Sequence, residues 1–342
     1  MEAPPTSIAN IAQSNIVDES TPISQSTIPR QDVVQSTIPH QDEQKYIDLL
    51  TELMGASIRQ SRTGVPVRSV FVRSLRFSLT RGEQLIMPLL TTKKVPFDAV
   101  ATELLWFLRG ETTTDYLVKH GVKIWDGNTT RKFLDSRGLT QYRPGECGPI
   151  YGAQWRGWNQ TYVPEELRTP ANGQLSTGYR AGIDQIAGVI KTLRTNPFDR
   201  RMVVSAWNPE QNAAMALPPC HYTFQFLVDN DQYAKLRLSC SVIMRSADVA
   251  LGVPFNIVSY ALLTHMIANI VGMIPGEVII TMNDCHIYEN HLDGIKEQIT
   301  RPIYDSPVLT FTREHKTLGD FDQSSFKITD YTHGKFIKYP MN

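Results

Sequence analysis

The chain has 342 residues, 41% of them hydrophobic, with 34 lysines and arginines balanced by 34 aspartates and glutamates. That length can bury a large core as one big domain or two smaller ones. The neutral balance excludes a global field for nucleic acid or an anionic membrane, so an anion site has to be built from a few positioned arginines. The cysteines, Cys147, Cys220, Cys240 and Cys285, include no CxxC pair, and the N-terminus has no charged-then-apolar leader pattern. Reduced thiols and a cytoplasmic setting are therefore the expectation.

Residues 1–42 are rich in Ser, Thr, Pro, Gln and Ile, and QSTIPRQD (25–32) recurs as QSTIPHQD (35–42). Two copies are too few for a solenoid, and the composition predicts a disordered tail ahead of one domain over 43–342. KYIDLLTELMGASIRQ (45–60) has helical periodicity, VFVRSLRFSLT (70–80) alternates as a strand does, and FDAVATELLWFLRG (97–110) is an amphipathic helix. Residues 160–182 are polar with Pro and Gly and predict an insertion loop. RMVVSAW, HYTFQFLVD, KLRLSCSVIM and EVIITM follow as strands. Between the last two, the apolar stretch from Pro254 to Gly272 is broken by polar residues and predicts a buried core helix. Strands and helices without regular βαβ alternation indicate an α+β fold, and the absence of a Gly-rich phosphate loop leaves any phosphate to side chains.

Several segments carry possible chemistry. In ALPPCHYTFQF two prolines fix the backbone before Cys220, so the residue is either a nucleophile with a preset approach angle or a small buried hydrophobe. A nucleophile there needs a depressed pKa, which nearby cations supply. The pairs Cys220-His221 and Cys285-His286 lack the spacing of a zinc site. Arg200 and Arg201 stand at a strand start, where neighbours face opposite ways; they are a solvated turn or an arginine pair offered to an anion, across a subunit boundary. Arg245 and Ser246 suit a phosphate, with Asp248 two residues on. Asn256 opens an apolar helix either as a capping or core-satisfied amide or as a group for base recognition, and His286 and Tyr288 share one strand face.

Taken together, SRTG, PLLTTKKV, ELLWFLRG, IWDGN, GPIYGAQWR, TNPFDRRMVVSAWNP, ALPPCH, RSADVALGVPFNIVSYALLTHMIA and DCHIYENH resemble the blocks of the thymidylate synthase family, in its order, from about residue 43 onward. IWDGNTTRKFLDSRGLT is similar to its eukaryotic and large-DNA-virus branch. The resemblance implies a large mixed sheet flanked by helices and a homodimer packed sheet to sheet. It implies methylation of dUMP to dTMP, with methylenetetrahydrofolate as carbon donor and reductant and without metal. Cys220 becomes the nucleophile on C6, and Glu103, with a raised pKa, runs proton traffic supported by Tyr151, His221 and Asp248. Arg62, Arg245 and Ser246 hold the phosphate with Arg200 and Arg201 of the other subunit. Asn256 reads uracil, His286 and Tyr288 hold the 3′-hydroxyl, and Trp125, Asn128, Asp248, Gly252 and Phe255 contact folate.

The chain departs from the family at Met244, where Gln is usual, at Pro66 and Val72 in place of glycines, in a longer TRGEQLIMPLL turn, and at the KYPMN ending, one residue short. Loss of the Gln threatens to orphan a buried partner at a cost of roughly 1–3 kcal/mol. Poor closure would admit water, which motivates one alternative, a dUMP hydroxymethylase on the same scaffold; the alternative from another class is a catalytically weak nucleotide-binding relative that acts as a binding protein, through its tail or by binding RNA. The 42 preceding residues are too few for a fused dihydrofolate reductase.

Overall fold

In the computed structural model, which describes residues 39–167 and 180–341, the first amphipathic run becomes α1 (Pro39–Met54). The proposed tail lies outside the described residues up to residue 38. α1 stops short of the expected residue 60 because a turn at Gly55 releases the chain, and β1 (Ile58–Arg59) pairs antiparallel with β2 (Val67–Ser78). There follow β3 (Thr80–Arg81), β4 (Gln84–Ile86), α2 (Phe97–Arg109), α3 (Asp115–Lys119), α4 (Arg131–Ser136), α5 (Tyr151–Gly157) and α6 (Gln185–Thr195). The second half contains β5 (Val203–Ser205), β6 (His221–Asn230), β7 (Leu236–Asp248), α7 (Gly252–Val271), β8 (Ile274–Tyr288), α8 (Leu292–Gln298), β9 (Val308–Phe311) and β10 (Phe326–Thr329). Residues 168–179 of the expected insertion lie outside the described residues; its base is closed by a bridge between Trp158 and Ile183.

Six strands form the main sheet in the order β1-β2-β8-β7-β6-β5, antiparallel except where α7 carries the chain from β7 to a parallel β8. Alternation sends Leu75, Phe77, Phe224, Phe226, Cys240, Val242, Val278 and Ile280 into the core. α7 packs on β7 and β8 and is buried from Ile257 to Ala268, each large aliphatic side chain contributing about 2 kcal/mol. It is long and apolar enough to span a membrane by length and composition, yet 78% of the window is buried inside the fold. Within the helix Thr264 donates to the Tyr260 carbonyl and His265 Nε2 to that of Ile86, while His265 Nδ1 is buried without a partner among the described residues.

The other face of the sheet keeps Ile243 and Ile279 half-buried, and Val203 and Leu227 exposed. A second sheet, β10-β9-β4-β3, was not anticipated; its strands are two to four residues long, too short to show a period. The run RMVVSAW pairs only over Val203–Ser205, so Arg200 and Arg201 precede the strand instead of starting it.

Strand direction gathers the chemistry. β6 begins where β7 ends, β8 ends beside β7, and β2 begins opposite Tyr288. Cys220 and His221, Arg245 to Asp248, His286 and Tyr288, and Arg62 just before β2 therefore meet at one end of the sheet. The register is explicit: His221 faces Met244, Ser246 faces Asp284, Asp248 faces His286, and Val67 faces Tyr288.

Candidate active site

Cys220 is half-buried immediately before β6. The prolines ahead of it do more than stiffen the backbone, because their carbonyls hold Arg245: Nε donates to Pro219 O at 2.9 Å and Nη2 to Pro218 O at 2.8 Å. The same Nη2 lies 3.6 Å from the Cys220 Sγ, and the Arg245 amide donates to the Cys220 carbonyl at 2.9 Å. Cys220 is thus clamped to the end of β7 through backbone and guanidinium together. Burial pushes its thiol pKa up, while Arg245, Arg62 and the Tyr151 hydroxyl pull it down; the net direction is upward. This corrects the expectation of a depressed thiol: in the chain by itself, desolvation outweighs the two arginines.

Tyr151 opens α5, and its hydroxyl accepts a hydrogen bond from the Cys220 amide at 2.8 Å. Helix α5 reaches this position because Gly152 lies against α2, where a Cβ would stand 2.3 Å from the Phe107 carbonyl oxygen. The Tyr151 ring stacks on His221, with centroids 4.1 Å apart. His221 Nδ1 is 2.8 Å from the hydroxyl of Tyr260 on α7, and burial pulls the imidazole pKa down to about 3, leaving it neutral.

Glu103 sits on α2, where its Oε1 accepts from Trp125 Nε1 at 2.7 Å. Burial pushes its pKa up to about 7, with the Trp125 bond opposing. The elevation anticipated from its apolar helix face is present, and it sets the group's proton affinity near neutrality. Trp125 itself is buried against Trp106, and Asn128 ends the short 3-10 turn that follows.

Asp248 ends β7, and its Oδ1 accepts from the amides of Ala250 and Leu251, both at 3.1 Å. Gly252 opens α7, and a Cβ there would meet nothing within 4 Å, leaving free space beside half-buried Phe255. Asn256 lies one turn into α7 without capping it, and its amide makes no hydrogen bond among the described residues. The satisfied-amide alternative is therefore not realised. His286 is buried, donating from Nδ1 to Asp284 O at 3.2 Å, and meets the Tyr288 ring edge to face at 5.3 Å. Ser246 is half-buried and Arg62 exposed.

Arg200 and Arg201 stand apart from this set. Both are exposed on the turn before β5, and Arg201 is held by the Asp199 carboxylate at 2.7 Å. Met244 is buried between the Met282 and His221 strand positions, and none of the unpartnered buried polar atoms among the described residues belongs to either neighbour. A cavity of about 620 Å³ opens elsewhere, lined by Arg109, Glu111, Arg156, Tyr162 and Glu165 among others, and contains no thiol. Among the described residues no group of three or more His, Cys, Asp or Glu side chains could hold a metal.

Sequence reasoning missed Tyr260, a tyrosine whose only signal was its interruption of an apolar helix. It also missed Lys93, His291 and Tyr339. Lys93 lies over the Tyr339 ring at 4.7 Å, and burial pulls its pKa down to about 8.

A mixed sheet that gathers a clamped thiol, a carboxyl near neutrality and two arginines, Arg62 and Arg245, at one end defines an α+β enzyme. The profile of the thymidylate synthase family matches residues 44–342. The chain is 44% identical over 309 residues to thymidylate synthase of Saccharomyces cerevisiae, covering 89% of this chain and 98% of that protein. It is 43% identical over 300 residues to human thymidylate synthase, covering 87% and 90%. Against the bifunctional dihydrofolate reductase-thymidylate synthase of Leishmania major it is 43% identical over 301 residues, 88% of this chain but 55% of that longer protein. The chain belongs to the thymidylate synthase family, whose members are methyltransferases.

Proposed function

We propose that this chain converts dUMP to dTMP by reductive methylation, with Cys220 as the nucleophile. The observation that carries the reading is the clamp at Cys220: a thiol fixed through Tyr151 and Arg245, with a second cation, Arg62, acting on it. Attack of the sulfur on C6 of uracil forms an S–C bond and moves the C5–C6 electron pair toward C5 and O4, so that C5 becomes nucleophilic. Glu103, with a pKa near neutrality, exchanges a proton at O4. Neutral His221, stacked on Tyr151 and tied to Tyr260, keeps that wall of the site uncharged. Loss of the C5 proton, which makes room for the new carbon, and expulsion of the Cys220 sulfur from C6 restore the double bond and free the enzyme.

Methylenetetrahydrofolate supplies the one-carbon unit and the hydride and leaves as dihydrofolate. The chemistry of the residues suits such a group: Trp125 and half-buried Phe255 are aromatic, the Asp248 carboxylate accepts hydrogen bonds, and a Cβ at Gly252 would meet nothing within 4 Å. Asn128 completes the folate contacts. Arg62, Arg245 and Ser246 bind the phosphate, and His286 with Tyr288 the 3′-hydroxyl. Arg200 and Arg201 complete the phosphate cage from the partner subunit of a homodimer. Their exposure, and the apolar residues Val203, Ile243, Leu227 and Ile279 on the outer sheet face, support that assembly. The reaction requires no metal.

Asn256, with an amide uncommitted to the chain, reads the uracil edge by donating to O4 and accepting from N3–H. Asn256→Asp is expected to shift the dUMP-to-dCMP ratio of kcat/KM by roughly tenfold or more toward dCMP, measured on both nucleotides in parallel. An unchanged ratio removes Asn256 from base recognition, and methylation of neither nucleotide by the unmutated chain ends the reading. The shared site is tested by mixing inactive Arg200→Ala and Cys220→Ala subunits. After exchange, half the dimers are mixed and each contains one complete site, so about a quarter of wild-type activity returns. No return under proven exchange assigns Arg200 to its own chain.

A further inference from the structure

The hydrogen bond between His221 Nδ1 and the Tyr260 hydroxyl, 2.8 Å long, can run in either direction, and the surroundings decide which. Tyr260 is 1% exposed, and its hydroxyl has no other partner among the described residues. A buried hydroxyl that only accepted from Nδ1–H would leave its own proton without an acceptor, which folded proteins avoid. The hydroxyl therefore donates, and Nδ1 carries a lone pair. Burial keeps the imidazole neutral, its pKa pulled down to about 3, so the one remaining ring proton stands on Nε2.

Nε2 is the nitrogen left for the site. It has no partner among the described residues, yet it is not sealed as the bare Nδ1 of His265 is: His221 is 8% exposed and His265 0%. The ring that carries it is fixed, with Tyr151 stacked at 4.1 Å and the Tyr260 ring edge to face at 5.4 Å. Tyr260 in turn packs on Phe224 at 5.1 Å and Trp155 at 6.2 Å. It lies one turn beyond Asn256 on the same face of α7, so the residue assigned to the uracil edge and the residue bonded to His221 approach from one side. We propose that Tyr260 is a positioning residue that locks His221 as the Nε2–H tautomer, so that the imidazole offers a donor and not an acceptor to the base site. The inference rests on the dUMP reading above and deepens it. When the Cys220 sulfur bonds to C6, negative charge develops on O4, and a preset N–H beside the base gains strength as that charge grows. Without the tyrosine hydroxyl the ring proton is free to move to Nδ1, and Nε2 then turns a lone pair toward the same oxygen.

The tautomer is read first, by long-range ¹H–¹⁵N correlation on the resting full chain labelled at its eight histidines, with His221→Ala identifying the signal. The expected pattern is a protonated Nε2 and a bare Nδ1. A proton on Nδ1 overturns the inference whether or not any Tyr260 variant folds. Tyr260→Phe keeps the packing on Phe224 and Trp155 and removes only the hydroxyl. It is expected to lower kcat about tenfold while the dUMP KM stays within about twofold. On a His221→Ala background the same substitution is expected to cost less than about twofold further, because no imidazole is left to orient. An equal cost on both backgrounds is the mark of a merely structural tyrosine and overturns the proposal, as does full kcat in Tyr260→Phe. Initial rates on the unmutated chain separate the two levels. No methylation of dUMP defeats the proposed function and this inference with it, whereas methylation with the proton on Nδ1 defeats this inference alone.

Discussion

Cys220→Ser is expected to lower turnover by a factor on the order of 10⁴ or more while dUMP binding changes only a few-fold. The hydroxyl fits where the thiol was, and Arg245 stays on the Pro218 and Pro219 carbonyls, so the phosphate and base contacts survive. What is lost is the polarisable nucleophile. The thiol's upward shift sharpens the expectation. Burial alone makes the anion hard to form at Cys220, and Arg245 and Arg62 offset part of that cost. Removing the Arg245 charge should therefore slow the chemical step beyond its effect on dUMP affinity. Turnover by Cys220→Ser within tenfold of wild type, measured by initial rates with binding checked by calorimetry, would sink the nucleophile assignment.

Glu103→Gln carries the second large effect. The amide oxygen still accepts from Trp125 Nε1, so packing is preserved, but the titrating proton is gone. A loss of roughly 10²–10⁴ in kcat is expected, with the titration near pH 7 disappearing from the kcat profile. Stability gives an independent check. A carboxyl pushed up from 4.5 to about 7 retains its proton in the folded chain after the unfolded chain has released it. The folded state then binds more protons, so stability falls as pH rises from about 4.5 to 7, by about 3 kcal/mol in total. Glu103→Gln should lack that decline and gain on the unmutated chain across the window, as read by denaturant melts at pH 5 and pH 8. Parallel stability curves for the two proteins would mean that Glu103 is not desolvated as described.

These expectations show which features were legible in the residues and which were not. α2 was clear because its apolar residues recur at helical spacing, and α7 because its long apolar stretch is broken only by single or paired polar residues. β6 and β7 were clear because they are dense in β-branched and aromatic residues. β8 outran its apolar centre at both ends, since its pairing to β2 and β7 carries it through IPG and NDCHIY, where polar residues mask the period. Within the site, the PPC entrance marked Cys220 as a candidate, and the family resemblance was needed to choose nucleophile over buried hydrophobe. The roles of Glu103, Trp125 and Gly252 came only with the family resemblance, because a glutamate on a helix looks the same whether it is ion-paired at a surface or desolvated against tryptophan. Tyr260 and His291 escaped because their partners, His221 and Asp248, are joined to them by the turn of the sheet and not by spacing in the chain. Met244 fills a buried strand position without orphaning either strand neighbour, and Tyr339 and Pro340 are held by Gln298 and His291.

The most direct test of the account is the product of a single reaction: purified chain, dUMP and methylenetetrahydrofolate, with dihydrofolate followed optically and the nucleotide identified by mass. The account predicts dTMP and dihydrofolate in equal amounts. A hydroxymethyl nucleotide formed without dihydrofolate, or no nucleotide product while dUMP remains bound, would contradict it.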